Sequence, residues 1–125
     1  MAYIGCSGFS FRRFFTPEAP QARIALTTAA TPEEARRLAR ALVEERLAAC
    51  ATVIPGAESI YHWEGKLETA TETLLLLKTT AEKVEALEVR LKDLHSYQTP
   101  EFLVFEVERG SRAYLEWIEA SVRAL

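Results

Sequence analysis

Residues 50–78 read CATVIPGAESIYHWEGKLETATETLLLLK, a pattern that predicts a single long β-hairpin. Residues that favour strands fill both arms, and Glu64 with Gly65 between them is a turn signal. Pro55 and Gly56 predict a bend or bulge in the first arm, because proline has no N–H to donate to a neighbouring strand.

The second arm changes character along its length. Its first half alternates, with Leu67, Thr69 and Thr71 on one face, whereas residues 74–77 are all leucine. Alternation indicates a strand with one solvent face, and an unbroken apolar run indicates a strand covered on both faces. We therefore predict a half-exposed tip and a fully buried root.

The two arms, residues 50–63 and 66–78, are longer than ordinary strands of about 5–6 residues. At about 3.3 Å per residue each arm spans about 45 Å, whereas a compact domain of about 100 residues is about 33 Å across. An apolar tip on a projecting strand edge favours closed self-association. A hairpin bent over its own sheet is the alternative, and the pattern does not choose between a dimer and a trimer. The apolar residues of the tip are Ile60, Tyr61, Trp63 and Leu67.

Two helices are predicted from capping residues and apolar spacing. The first starts at the cap Thr31, with Glu34 completing a capping box, and runs to about Ala48. The second follows a capping box formed by Thr79 and Glu82. Its apolar stripe is Val84, Leu87, Leu91 and Leu94.

The complete order of elements predicts the fold class. Strand patterns occupy residues 24–28 and 102–107, and a last helix begins at Gly110 and Ser111. The order is therefore β-α-β-β-α-β plus a terminal helix, an α+β ferredoxin-like βαββαβ sandwich with helices on one face of an antiparallel sheet. The predicted buried side of the last helix carries Tyr114, Trp117, Ile118 and Val122.

The chain divides into two predicted regions. Residues 22–125 carry the ferredoxin-like pattern, whereas residues 1–21 have no helical or strand period and are predicted to be an irregular N-terminal extension. The two cysteines, Cys6 and Cys50, are too few for a disulfide framework. Reduced thiols and the lack of a signal-peptide pattern lead us to expect a cytoplasmic protein.

The composition of the chain argues against two classes of binding partner. Of the 125 residues, 49% are hydrophobic and 26% are charged, which is the ordinary mixture of a globular domain. The net charge of −3 supplies no basic field for a nucleic-acid backbone, so no nucleic-acid partner is expected. No apolar run approaches the length of about 20 residues that a spanning helix needs, so no membrane partner is expected.

Four stretches of the chain resemble one known family. They are LVEERLAACATVIPGAESIYHWEGKLE at 42–68, LLLLKTT at 74–80, LHSYQTPEFLVFEV at 94–107 and YLEWI at 114–118. Together they resemble the CutA family of divalent-cation tolerance proteins over about residues 22–124. The family usually has proline after the histidine of the third stretch, where this chain has Ser96.

The resemblance implies an assembly and a role. It implies a homotrimer similar in shape to the PII signalling proteins, in which long hairpins of neighbouring subunits hold the trimer together. It also implies a role in tolerance of copper and other divalent metal ions. No cofactor is required on this interpretation, and Cu(II) or another divalent ion is the candidate bound metal.

Six side chains match positions that the resemblance implies for a cleft between subunits. An aromatic wall with a lysine suits an anionic or planar ligand. Interface packing is the alternative for the aromatic residues, and capping of a helix or strand is the alternative for the histidine and the glutamate. The six are Tyr61, Trp63 and Lys78 on the hairpin and His95, Tyr97 and Glu101 after the second helix.

Cys50 and His95 are the candidate metal ligands, because a thiolate with an imidazole suits copper or zinc. Nothing in the sequence fixes the distance between them, and no CxxC, HxxxH or HExxH motif occurs. A buried, inert cysteine is the alternative. Some copper-binding relatives carry extra cysteines where this chain has Thr27 and Arg90, which argues against a thiol-rich copper site.

Three functions stay open on the sequence. The leading hypothesis is a non-enzymatic homotrimer that binds divalent metal ions and contributes to metal tolerance. The second is a PII-like small-molecule sensor with its ligand between subunits, and the third is an enzyme that uses His95, Tyr97 and Glu101. The chain has no Gly-rich phosphate loop and no GxSxG elbow.

Overall fold

The structure of the protein, a computed structural model, describes residues 21–123. The predicted N-terminal extension, residues 1–21, lies outside the described residues except for Gln21, and so does Cys6. The elements in chain order are β1 (Ala22–Ala29), α1 (Pro32–Glu44), β2 (Cys50–Trp63), β3 (Lys66–Thr80), a 3-10 turn (Ala81–Lys83), α2 (Val84–Leu94), β4 (Leu103–Glu106) and α3 (Arg112–Val122). The predicted βαββαβ order with an extra C-terminal helix is confirmed.

The four strands form one antiparallel sheet in the order β2-β3-β1-β4. Helices α1 and α2 cover one face of this sheet, as predicted, because their apolar stripes need a partner layer. None of the helices in residues 21–123 is long and apolar enough to cross a membrane. The centre of the core is Leu38 and Leu42 of α1, Leu75 and Leu77 of β3, and Leu87 and Leu91 of α2.

The opposite face of the sheet, which we call the open face, is only partly covered. Leu75 and Leu77 of β3 are fully buried under the helices, but Leu74 and Leu76 point the other way and are half-buried. The prediction of a fully buried root is therefore wrong for alternate residues, since no layer of the described chain covers their side. The strand register places these residues on the open face: Ile24, Leu26, Thr52, Leu74, Leu76, Lys78, Leu103 and Phe105.

The hairpin projects beyond the rest of the sheet. Strand β1 pairs with β3 only as far as Ala29 opposite Thr73, so residues 57–72 pair with no third strand of the described chain. The overhang of seven residues on β3 corresponds to about 23 Å at about 3.3 Å per residue. Its apolar side chains are exposed, with Trp63 at 62% and Leu67 at 68%.

Local features of the hairpin agree with its sequence. The register shifts between Ile54 and Ala57, which confirms the bulge predicted at Pro55 and Gly56. The turn residues Glu64 and Gly65 have φ values of 50° and 79°. Two positive φ values are typical of a type I′ turn, whose twist matches that of a two-stranded ribbon.

Helix α1 ends earlier than its apolar spacing predicts. The expected end was near Ala48, but the helix stops at Glu44 and Arg46 adopts a φ of 60°. The N–H of Leu47 then bonds the carbonyl of Leu42, and the N–H of Arg46 bonds that of Val43, which is a Schellman motif. Arginine in place of glycine at the left-handed position hides this stop signal. The Arg46 guanidinium donates to the Ser121 carbonyl at 2.8 Å and links the helix end to α3.

Two other expectations need correction. Thr79 is not a helix cap, because it lies in β3 and its hydroxyl donates to the Leu47 carbonyl at 2.7 Å. Ile118 and Val122 of α3 are buried as predicted, but Tyr114 and Trp117 are exposed and stack on each other at 5.5 Å. Neither ring belongs to the small apolar cluster that α3 forms with Ala22.

Candidate functional site

The loop at residues 95–101 is fixed first through the ring of His95, which is buried. Nε2 of His95 lies 2.7 Å from the Thr28 carbonyl oxygen, and the Tyr97 N–H donates to Nδ1 at 3.0 Å. Since Nδ1 accepts a hydrogen bond, the ring proton is on Nε2, which donates to β1. His95 therefore links the end of α2 to the end of β1.

The carboxylate of Glu34 fixes the same loop from α1. It accepts hydrogen bonds from the Ser96 N–H at 2.8 Å and from the Ser96 hydroxyl at 2.9 Å, and it lies 3.6 Å from Nδ1 of His95. Burial alone would raise the pKa of Glu34, but the two Ser96 donors, the nearby His95 ring and the Ala30 N–H together outweigh burial and hold this pKa below its ordinary value of 4.5. Thr31 caps α1 as predicted. The predicted capping box is wrong, because the Glu34 carboxylate accepts from the Ser96 N–H and hydroxyl and not from the cap residue.

The family resemblance implies proline at position 96, where this chain has serine. Proline there has neither an N–H nor a hydroxyl, and both groups of Ser96 donate to Glu34. The substitution therefore gives this chain two hydrogen bonds between the loop and α1 that proline does not allow.

Glu72 of β3 fixes the loop from the hairpin. Its carboxylate accepts from the Tyr97 hydroxyl at 2.9 Å and from the Ser59 hydroxyl at 2.8 Å. The Tyr97 ring also contacts the His95 ring, at a centroid distance of 4.8 Å. Burial, followed by the hydrogen bond and the charge of Glu72, raises the pKa of Tyr97 to about 12.

Sequence reasoning missed Glu72 and Ser59 as members of this group. A glutamate in an alternating strand is ordinarily a solvated residue, so its type gives no sign of a role. The only available signal was its position on the overhanging part of β3, next to the loop that follows α2.

The six predicted cleft residues do not form a single cluster within one subunit. His95 and Tyr97 lie together beside Glu72. Lys78 is six residues from Glu72 along β3, which corresponds to about 20 Å at about 3.3 Å per residue.

Tyr61 and Trp63 lie in the opposite direction, towards the tip, where Tyr61 pairs with Glu68. Glu101 is exposed at the end of the loop. One subunit therefore brings His95 and Tyr97 together with Glu72. Tyr61 lies near enough for its charge to contribute to the raised pKa of Tyr97, whereas Trp63 and Lys78 lie apart along the hairpin.

The predicted metal ligands do not meet within one subunit. Cys50 pairs with Lys78, whereas the His95 ring bonds Thr28, which pairs with Leu74. Four residues of β3 separate these positions, about 13 Å at about 3.3 Å per residue. Both ring nitrogens of His95 already have protein partners, so these residues of a single subunit do not fit a metal centre. Within residues 21–123, no three His, Cys, Asp or Glu side chains gather to hold an ion.

These features define a ferredoxin-like α+β protein with an overlong β2–β3 hairpin and a loop held against it. The family model described as CutA1 divalent ion tolerance protein matches residues 23–121. The chain belongs to this family, and the family resemblance of its sequence is confirmed.

Individual relatives agree in sequence and in fold. The divalent-cation tolerance protein CutA of Citrobacter koseri is 49% identical over 104 residues, which cover 83% of this chain and 90% of that protein. The crystal structure of CutA from Xylella fastidiosa matches with a TM-score of 0.81 and 42% identity, over 82% of this chain and 99% of that one. The crystal structure of CutA1 from Oryza sativa matches with a TM-score of 0.81 and 37% identity, over 84% and 96%.

Glu34→Gln tests the tie between α1 and the loop. We expect the free energy of unfolding at neutral pH to fall by about 1–3 kcal/mol, because a buried charged acceptor of two hydrogen bonds is lost. Because the pKa of Glu34 is lower in the folded state, the ionised carboxylate stabilises the fold at pH values above its ordinary pKa of 4.5. This stabilisation is lost as the pH falls through the folded-state pKa. The difference from wild type should therefore shrink in acid, as measured by urea unfolding at stepwise lower pH.

Glu33→Gln on the same helix is the matched control, since that side chain is 76% exposed. It should change the free energy of unfolding by less than about 0.5 kcal/mol. Equal losses in the two variants would contradict the assigned role of Glu34.

Tyr97→Phe tests the contact with Glu72. A phenol with its pKa raised from 10.0 to about 12 stabilises the fold below pH 10 and loses this contribution as pH rises through about 12. In an alkaline titration followed by phenolate absorbance, the variant should lack the component that ionises near pH 12. The control Tyr114→Phe should retain the component near pH 12. If that component persists in Tyr97→Phe, it does not belong to Tyr97 and the assignment is wrong.

Proposed function

We propose that this protein is a cytoplasmic homotrimer that contributes to divalent-cation tolerance by binding copper-class divalent metal ions. The observation that carries the proposal is the pair of unsatisfied surfaces, the overhanging hairpin and the open face. Both present large apolar side chains to solvent in a single subunit, and burial of such groups is the main driving force for association.

The sheet topology supports closure into a ring. Strands β2 and β4 are the two edges of the sheet, and all four residues of β4 are exposed. Pairing of a β2 edge with the β4 edge of the next subunit is a head-to-tail contact, and head-to-tail contacts close into rings when the rotation permits. The number three rests on the likeness to the PII proteins that the family resemblance implies.

A bound metal ion takes ligands from more than one subunit in this proposal. Cys50 lies on the open face opposite Lys78, so assembly brings copies of this thiol to the interface. His95 reaches an ion only by giving up the Thr28 carbonyl or the Tyr97 N–H. Thiolate and imidazole are suitable donors for copper, and the interface is where the chain presents its described thiol.

A second candidate is a PII-like sensor with a small molecule in the intersubunit cleft, formed by Tyr61, Trp63, Lys78, His95, Tyr97 and Glu101. The observation in its favour is that Glu72 orders the loop on the hairpin while Trp63 stays 62% exposed. In the trimer, the exposed Trp63 ring of one subunit and the ordered loop of a neighbouring subunit would supply the aromatic and polar walls of a ligand cleft.

Phe105→Glu tests the assembly. Phe105 is 50% exposed on β4, so a carboxylate there is tolerated by the monomer and is disfavoured in a desolvated interface. We expect the wild type to elute as a trimer and the variant to elute with a lower mass in size-exclusion chromatography with light scattering. Val89→Glu adds the same charge to exposed α2 and should stay trimeric. An unchanged mass for Phe105→Glu would count against an interface at β4.

Calorimetric titration with Cu(II) tests the metal. Cys50→Ala and His95→Gln should each weaken binding, and glutamine keeps an N–H to donate to Thr28, which protects the loop. His62→Ala, at an exposed hairpin position, is the control and should bind as wild type does. If the wild type binds Cu(II) no better than the variant that combines Cys50→Ala and His95→Gln, the metal proposal fails.

A thermal-shift screen of planar and anionic metabolites tests the sensor. A ligand selective for the native state raises the melting temperature, and Trp63→Ala should abolish that rise if the ligand lies in the cleft. A rise of equal size in Trp63→Ala would place the ligand elsewhere.

A further inference from the structure

The ammonium group of Lys78 has unusual surroundings. Its Nζ donates to the Thr52 hydroxyl at 2.9 Å and lies 3.7 Å from the Cys50 thiol, and both partners are neutral groups. None of the ion pairs among residues 21–123 includes Lys78. The side chain is half-buried, so water solvates only part of it.

Cations on the helices are treated differently. Arg90 has a bidentate contact with Glu45, with its shortest N–O distance at 2.9 Å. Lys92 lies 2.9 Å from Glu88. These exposed groups need an ion pair least, because water already solvates them. Lys78, which is less exposed than Lys92, lacks one.

The environment of Lys78 becomes drier if the open face is covered. Its neighbours in the sheet include Ile24 across β1 and Leu76 along β3, both on the same face. In the proposed trimer a sister chain packs on this face and removes the remaining water. A buried ammonium with only neutral acceptors is strongly unfavourable, whereas an ammonium next to an anion is not.

Thr52 and Lys78 together present two donors. The Thr52 hydroxyl accepts from Nζ, so its own hydrogen is free to point away from the lysine. The ammonium has further N–H groups beyond the one that it gives to Thr52. Two donors 2.9 Å apart can reach adjacent oxygens of one carboxylate or phosphate group.

We propose that Lys78 and Thr52 form an oxyanion-binding position on the open face, at the root of the hairpin. This proposal rests on the proposed trimer, and it states which kind of group the subunit interface binds at Lys78. A carboxylate or phosphate oxygen accepts from Nζ and from the Thr52 hydroxyl, and its charge balances the ammonium. The oxyanion comes either from a glutamate of a sister chain or from a free small anion.

Lys78→Met tests the position, because methionine has a similar length and no charge. Sedimentation velocity over a range of concentrations measures the association, and thermal unfolding with inorganic phosphate, against chloride at equal ionic strength, measures the anion. We expect Lys78→Met to weaken association by about tenfold or more, as loss of one desolvated charge partner does. Lys92→Met removes the same charge from an exposed helix face and should leave association unchanged.

The phosphate arm separates the two sources. If the oxyanion is free, phosphate raises the melting temperature of wild type and not that of Lys78→Met. If it belongs to a sister chain, phosphate has no specific effect while Lys78→Met still weakens association. Either result supports the oxyanion position.

Thr52→Val keeps the ammonium and the β-branched shape, so it provides a reading even if Lys78→Met does not fold. It should show part of the same loss. If both Lys78→Met and Thr52→Val form trimers as stable as the wild-type trimer, and phosphate has no effect, the oxyanion position is overturned. The proposed trimer would stand in that case. A wild-type chain that stays monomeric would overturn the proposed trimer and this position with it.

Discussion

Burial of the overhanging hairpin is the constraint on which the rest of the molecule depends. β1 supports β3 only to Thr73, and the next seven residues of that strand continue with β2 as their sole partner in the described chain. A two-stranded ribbon is marginally stable in water by itself, and this one exposes Trp63 and Leu67. The open face adds Leu103 and Phe105 of the edge strand. Residues 21–123 of one subunit provide no further layer that covers these groups.

The polar groups fall into two sets according to where they find their partners. His95, Glu34 and Glu72 are satisfied inside the subunit, and together they hold the loop against β1, α1 and the hairpin. Lys78 has only neutral partners in the described chain. The first set gives the loop a fixed shape before any assembly, whereas no ion pair among residues 21–123 includes Lys78. In the proposed trimer, a ligand or a sister chain supplies its ionic partner.

Much of this fold was predictable, because the hairpin and helices carry local signals in their turn residues, caps and apolar spacing. The end of α1 was not, since Arg46 takes a left-handed conformation that usually requires glycine. Tyr114 and Trp117 have the right spacing for burial but need a partner layer, and residues 21–123 provide none for that side of α3. Glu72 escaped notice because its role depends on Tyr97, 25 residues away, and no local pattern reports such a contact.

Sedimentation equilibrium of the unaltered full chain at micromolar concentration tests the central claim most directly. If sister chains cover the hairpin and the open face, the dominant folded species has the mass of three chains of 14.0 kDa each. A well-folded species of 14.0 kDa that persists as concentration rises would show that the subunit tolerates its own exposed ribbon, and would contradict the account.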